Sequence, residues 1–282
     1  MDIKTAIEAL PSLKVTVDSY GLLAKKALGQ NFLLDKNVTD KIIASSLKEQ
    51  KINSFEGTHV FEVGPGPGGL TRSALQAEPQ KMTVIELDER CIKIMQDIQS
   101  KTGNVLEILN QDALDFDFTI AEDLPKHIVS NLPYNVSVPL LVKWLADIKS
   151  YQSMTLMFQK EVADRILAPI RTKDNGRISI LAQLQCKITR LFDLSPECFT
   201  PAPKIWSSVL LFQPLDNPLN KQEIETLEKV TAQTFSMRRK MIRQSLKQVK
   251  NLEKICQDTG ILPTMRPEEI TPQQFLVLSK KI

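Results

Sequence analysis

Two histidines and four cysteines are all that the 282 residues offer to soft-metal or thiol chemistry. Cys91, Cys186, Cys198 and Cys256 lie far apart with no Cys-x-x-Cys pair. That argues against a zinc site and, in a reducing compartment, against structural disulfides. His59 and His127 stand singly, neither at a His-x-x-x-His spacing, so no metal is expected. No apolar run approaches the roughly 20 residues needed to cross a bilayer, so no membrane partner is expected. The segment from Met1 lacks a charged start followed by an apolar stretch and a small-residue cleavage site, and a cytoplasmic location is the expectation. A formal net charge of +3 is too small to imply nucleic acid by itself, which leaves the distribution of charge to decide. Internal repeats and low-complexity tracts are also missing.

What is there reads as an ordinary globular chain, 42% hydrophobic and 24% charged, of a length that suits one large α/β domain with a smaller companion. Residues 1–20 mix Pro11 with short apolar patches and are assigned only as an N-terminal extension, partly helical. Val38, Ile42, Ile43 and Leu47 mark an amphipathic helix. From Thr58 onward, strands and helices alternate. The expected strands are His59–Val63, Met82–Ile85, Val105–Leu109, Ile128–Ser130 and Met154–Phe158. Two more follow at Lys187–Leu194 and Trp206–Phe212, adjacent to each other in the sheet. Alternation of this kind implies a mainly parallel, doubly wound sheet with ligands at the carboxyl ends of its strands. The turn-rich run Gln213–Pro218 marks a boundary, giving domains over 21–215 and 216–282. The second is expected to be all helix: Ile224, Leu227, Val230 and Thr231 mark one amphipathic helix, and Ile242, Leu246 and Val249 another.

The polar residues of interest fall at the expected strand ends. Gly64, Gly66 and Gly69 follow the first strand and fit a nucleoside cofactor turn, in which glycine permits close backbone approach. Glu86, at the end of the second strand, is placed to accept hydrogen bonds from ribose hydroxyls. Asp112, at the end of the third, is placed for an adenine amine. An NAD enzyme and an S-adenosylmethionine enzyme share this much. Asn131-Leu132-Pro133-Tyr134 separates them. An aromatic amine is a poor nucleophile because its lone pair is delocalised. If the Asn131 side-chain oxygen and the Leu132 carbonyl each accept one of its hydrogens, the nitrogen is drawn towards tetrahedral geometry. Pro133 stiffens that turn, and Tyr134 supplies a stacking face.

Five stretches in order resemble the ribosomal RNA adenine N6-methyltransferases, and most closely the KsgA-type small-subunit dimethyltransferases. They are Lys26–Leu33, Val63–Thr71, Asn131–Asn135, Phe199–Ile205 and Phe235–Lys240. The resemblance covers nearly the whole chain after about Tyr20. It implies a Rossmann-like class I methyltransferase domain, with a mixed, mainly parallel seven-stranded sheet, followed by a small helical RNA-binding domain. It further implies that Gln30, Asn31 and Leu33 help hold S-adenosylmethionine, whose product is S-adenosylhomocysteine. Gly64 and its neighbour Gly66 would lie at the methionine end, Glu86 on the ribose, Asp112 near the adenine, and Asn131 beside the cofactor. Phe199 is implied to join Tyr134 in sandwiching the target base. Gln111, where family members often carry glycine, is a small departure that leaves the acid in place.

The basic run then acquires a meaning: Arg238, Arg239, Lys240, Arg243, Lys247 and Lys250 follow one another without an intervening acid and suit RNA phosphates. The implied substrate is two adjacent adenosines in a hairpin loop near the 3′ end of small-subunit ribosomal RNA, within a pre-30S particle, methylated by a monomer. Three rivals are a large-subunit ribosomal RNA methyltransferase, an NAD-dependent dehydrogenase and a non-catalytic ribosome-assembly factor. The dehydrogenase has no use for Asn-Leu-Pro-Tyr and lacks an evident acid or base for hydride transfer. The intact Asn131, Tyr134, Glu86 and Asp112 weigh against loss of catalysis.

Overall fold

The computed structural model describes residues 2–22, 30–119 and 123–282. The Lys26–Gly29 part of the first motif therefore lies outside the described residues. The chain divides into two compact units, one taking Met1–Lys143, Ser150–Lys160 and Thr189–Gln213 and the other Trp144–Lys149, Glu161–Ile188 and Pro214–Ile282. In chain order the elements run α1 (Ile3–Glu8), α2 (Leu13–Ser19), β1 (Phe32–Leu33), α3 (Lys36–Gln50), β2 (His59–Val63), α4 (Gly69–Gln76), β3 (Lys81–Glu86) and α5 (Glu89–Thr102). There follow β4 (Leu106–Asn110), β5 (Lys126–Asn131), α6 (Ser137–Ala146), β6 (Ser153–Gln159), α7 (Lys160–Ile166), α8 (Arg177–Gln185), β7 (Cys186–Leu194), β8 (Phe199–Thr200) and β9 (Ser207–Pro214). The chain closes with α9 (Lys221–Ser236), α10 (Ile242–Ser245), α11 (Leu252–Thr259) and α12 (Pro272–Ser279).

Seven strands form one sheet in the order β4-β3-β2-β5-β6-β9-β7. The pairs β4–β3, β3–β2, β2–β5 and β5–β6 are parallel, and β9 runs antiparallel to β6. This is the mixed, mainly parallel sheet expected from the sequence, with β9 and β7 side by side. All five residues of β2 are buried, as are Met82–Glu86 of β3, because helices cover both faces of a parallel sheet. Helix starts follow local chemistry. Asp35 caps α3 by accepting from the Asn37 amide, Asp88 caps α5 through the Arg90 amide, and Asn220 with Glu223 forms a capping box on α9. Strand order reverses between β2 and β5, since β3 lies on one side of β2 and β5 on the other. Such a switch point opens a crevice at the carboxyl ends of those two strands.

The first 20 residues do more than extend the chain. Ala6, Ile7 and Leu13 are buried. The Arg72 guanidinium on α4 donates to the Pro11 carbonyl at 2.6 Å and to Thr16 Oγ1 at 3.2 Å, which fixes this segment within the first unit.

The second unit is helical, with Ile224, Leu227, Val230, Phe275 and Leu278 buried along α9 and α12. It also takes in α8 and most of α7, which the boundary read at 215–216 had put with the sheet. One expected element is absent: the basic amphipathic helix through Arg238–Val249 is reduced to the four residues of α10. Helix α9 stops at Met237, and Met241 is extended, with φ −64° and ψ 151°. The Ile242 and Arg243 amides donate to the Met265 and Pro263 carbonyls, at 2.8 and 3.2 Å, instead of to an upstream helical turn. Ile242 and Leu246 still bury completely, so the apolar spacing is satisfied by docking on that loop rather than by a continuous helix.

Candidate functional site

A cleft of about 1100 Å³ opens at the switch point. Its walls include Gln30, Asn31, Leu33, Glu62, Gly64, Gly66, Glu86, Asp112, Asn131, Leu132 and Tyr134, so all eight residues expected to hold a cofactor line one space. Gly64 and Gly66 have φ of +69° and +55°, the left-handed region that side chains resist. A Cβ on Gly69 would stand 2.6 Å from the Leu33 carbonyl oxygen, so α4 can approach β1 only with glycine there.

Glu86 ends β3 with its carboxylate in the cleft. Its Oε1 accepts the Leu87 and Asp88 amides at 2.8 and 2.9 Å, and Oε2 accepts the Gly66 amide at a long 3.4 Å. Burial raises its pKa above the ordinary carboxylate value, partly offset by those amides. Asp112 Oδ1 accepts the Leu114 amide at 2.8 Å, shaping the turn after β4. Gln30 donates from Nε2 to Asp88 Oδ2 at 3.2 Å, which ties the first motif to the turn carrying Glu86.

Asn131 is the last residue of β5, in register with Met157 of β6. Its Nδ2 donates to the Asn31 backbone carbonyl at 3.2 Å. That bond occupies Nδ2 and sets the rotation of the side-chain amide, whose oxygen can only accept. Leu132 is buried, and the chain then turns, the Val136 amide donating to the Pro133 carbonyl at 3.1 Å. Tyr134 is held at its far end by a 2.9 Å hydrogen bond with Ser207 Oγ. Burial raises its pKa, the Ser207 bond opposing in part, so the phenol keeps its proton.

Phe199 is 3% exposed, pairs through β8 with Leu33 of β1, and packs in the core of the first unit with Phe32 and Leu194. It is not among the residues lining the cleft. Arg238 forms an ion pair with Glu268 at 3.6 Å and donates to the Thr172 carbonyl at 3.3 Å, within the second unit. Arg239, Lys240, Arg243 and Lys247 are exposed.

Two residues that shape the cleft escaped the sequence reading. Glu62, 1% exposed, borders the cleft, and burial pushes its pKa to about 8, the Thr71 hydroxyl opposing with a 2.6 Å bond to Oε2 and the Glu86 charge adding to the rise. An acid inside the run His59-Val60-Phe61-Glu62-Val63 was the available signal. Lys143, on α6, donates to the carbonyls of Ala113, Leu114 and Phe116 and so gathers the turn behind Asp112. A lysine on an amphipathic helix carries no sequence mark of that task.

The chain matches the family described as ribosomal RNA adenine dimethylase over residues 21–282. It is 41% identical over 279 residues to the ribosomal RNA small subunit methyltransferase A of Rhodospirillum rubrum, covering 99% of this chain and 95% of that protein. It is 43% identical over 282 residues to the protein of the same name from Cereibacter sphaeroides, covering 98% and 99%. Among solved structures it resembles a dimethyladenosine transferase from Plasmodium falciparum, with TM-score 0.69 and 24% identity over 86% of this chain and 94% of that one. It also resembles the 23S rRNA methyltransferase ErmE, with TM-score 0.65 and 22% identity over 89% and 99%. At these identities the two structural likenesses concern the class I methyltransferase fold.

Proposed function

The chain belongs to the ribosomal RNA adenine dimethylase family, and on that premise we propose how its cleft carries out methyl transfer to N6 of adenosine in small-subunit ribosomal RNA. The product is N6,N6-dimethyladenosine, formed at two adjacent adenosines of a loop near the 3′ end of the 16S RNA. The residues present fit S-adenosylmethionine. Gly64 and Gly66 turn the backbone through positive φ and keep side chains out of the floor, which suits the methionine portion. Glu86 offers a carboxylate to the ribose, and Asp112 with its turn offers an acceptor to the adenine amine. When bound, that cofactor supplies an electrophilic sulfonium methyl.

The protein's own work is alignment. The observation that carries the reading is the anchored Asn131 amide, whose Nδ2 is occupied by the Asn31 carbonyl and whose Oδ1 is thereby directed to a hydrogen of the target amine. With the Leu132 carbonyl taking the second hydrogen, the nitrogen lone pair is presented to the methyl group. Tyr134 offers its ring to the adenine face, steadied by Ser207. Phe199, being buried, is left as a support for β1 beneath Asn31. Arg239, Lys240, Arg243 and Lys247 supply exposed charge for RNA phosphates. Action on pre-30S particles, as a monomer in the cytoplasm, completes the proposal.

Transfer of labelled methyl groups to small ribosomal subunits from cells lacking this protein tests it. Asn131→Ala should lower the rate by about a hundredfold or more while S-adenosylhomocysteine still raises the melting temperature. Near-normal methylation by that variant, or labelling of large subunits instead, would overturn the reading.

A further inference from the structure

We propose that Trp206 is an RNA-binding residue that stacks on a nucleobase next to the adenosine in the cleft. This deepens the function proposed above and rests on it. Trp206 ends the proline loop and directly precedes β9. It is 50% exposed, the more exposed of the two tryptophans, since Trp144 is fully buried. Among the described residues its indole has no hydrogen-bond partner and no ring contact. Its neighbour Ile205 is also open to solvent, at 38%.

The backbone beneath this ring is fixed. The Lys160 amide donates to the Trp206 carbonyl at 2.8 Å, and the next residue, Ser207, is in register with Gln159 at the carboxyl end of β6. Trp206 therefore stands on the same sheet edge as Asn131. Ser207, whose Cα is about 3.8 Å further along the chain, is the residue that holds the Tyr134 hydroxyl. A large exposed aromatic, its carbonyl held by the Lys160 amide and one residue from the contact that steadies Tyr134, is placed to meet an RNA strand that brings its adenosine to the cleft. With one adenosine in the cleft, its chain neighbour is left unstacked at that rim, and an unpaired base is what an exposed indole recognises. Lys204, exposed two residues earlier, adds a cation for the adjoining phosphate.

Steady-state methyl transfer to small ribosomal subunits lacking the modification, with Trp206→Ala and Trp206→Phe beside the wild type, tests this. Loss of one base–aromatic stack predicts that the alanine variant raises KM for the subunit about 5- to 100-fold, while the phenylalanine variant stays within about threefold of the wild type. The S-adenosylhomocysteine-induced rise in melting temperature should be equal in all three. An unchanged KM in Trp206→Ala would overturn the inference. So would a fall confined to kcat, because that would assign the tryptophan to holding Ser207 and Tyr134. If the wild type itself leaves small subunits unmethylated, the proposed function fails, and this inference with it.

Discussion

Glu62 makes stability depend on pH in a direction opposite to that of most paired carboxylates. Its side chain is 1% exposed, and burial, with Glu86 nearby, holds its pKa at about 8 against an ordinary value of 4.5. Between these values the unfolded chain carries the charge and the folded chain carries the proton. The stabilisation is complete below the unfolded value and is lost as pH rises through the folded one. Over that window stability falls by up to about 1.4 kcal/mol per pH unit. From about pH 5.5 to about pH 7.5 the Glu62 contribution alone falls by roughly 2 to 3 kcal/mol. Glu62→Gln removes the titration and keeps an oxygen that can accept the Thr71 hydroxyl, now at 2.6 Å from Oε2. Urea unfolding followed by circular dichroism across this range should give the wild type a stability that declines relative to the variant by that amount. Parallel pH profiles for the two proteins would refute the reasoning, because they would mean Glu62 ionises in the folded state as it does in the unfolded chain.

Two further perturbations separate roles that look alike on the surface. Lys143→Met deletes the ammonium that gathers the Ala113, Leu114 and Phe116 carbonyls, and should raise KM for S-adenosylmethionine about tenfold with kcat changed by less than about twofold. An unchanged KM would show that the turn behind Asp112 holds its shape alone. Arg238→Ala and Arg239→Ala should diverge. The first breaks the Glu268 and Thr172 contacts and should destabilise by about 1–3 kcal/mol in urea unfolding, whereas the second should leave stability intact, weaken RNA binding and lower its salt slope by about 1. Equal effects of the two substitutions on stability would sink that distinction.

The sheet was legible because parallel strands covered on both faces read as short continuous apolar runs, and β2, β3, β5 and β6 lie within two residues of where those runs predict them. Residues at the strand ends then converged by topology, so their gathering into one cleft was legible too. The basic segment was not. Apolar residues at Ile242, Leu246 and Val249 fit a helical period, but the same spacing is met when a short turn docks Ile242 and Leu246 against the 263–265 loop. Periodicity reports which residues bury, and it reports conformation only when the buried face is continuous. The burial of Phe199 was hidden for a related reason. A motif places a residue in the neighbourhood of a site, while the β8–β1 pairing that turns its ring into the core depends on residues some 170 positions apart in sequence, roughly the separation of Leu33 and Phe199.

The residues proposed as cofactor cradle and those proposed as base clamp are built on one frame. Ser130 Oγ donates to the Val63 carbonyl at 2.6 Å, joining the ends of β5 and β2. Asn131 Nδ2 donates to the Asn31 carbonyl, and a Cβ placed on Gly64 would lie 3.4 Å from Pro133 Cδ. The last two approaches each link a residue proposed for the cofactor side to one of the Asn131–Tyr134 stretch, and the first ties together the strands that carry them. Catalysis by alignment makes severe demands on such a frame, since a displacement of about 1 Å can cost about a hundredfold in rate. That explains the division of labour along four consecutive residues. Asn131, in the proposed mechanism the residue that places one oxygen against one hydrogen, ends a strand in the middle of the sheet. Tyr134, proposed only to offer a ring face, sits on the following turn, where a single hydroxyl bond to Ser207 holds it.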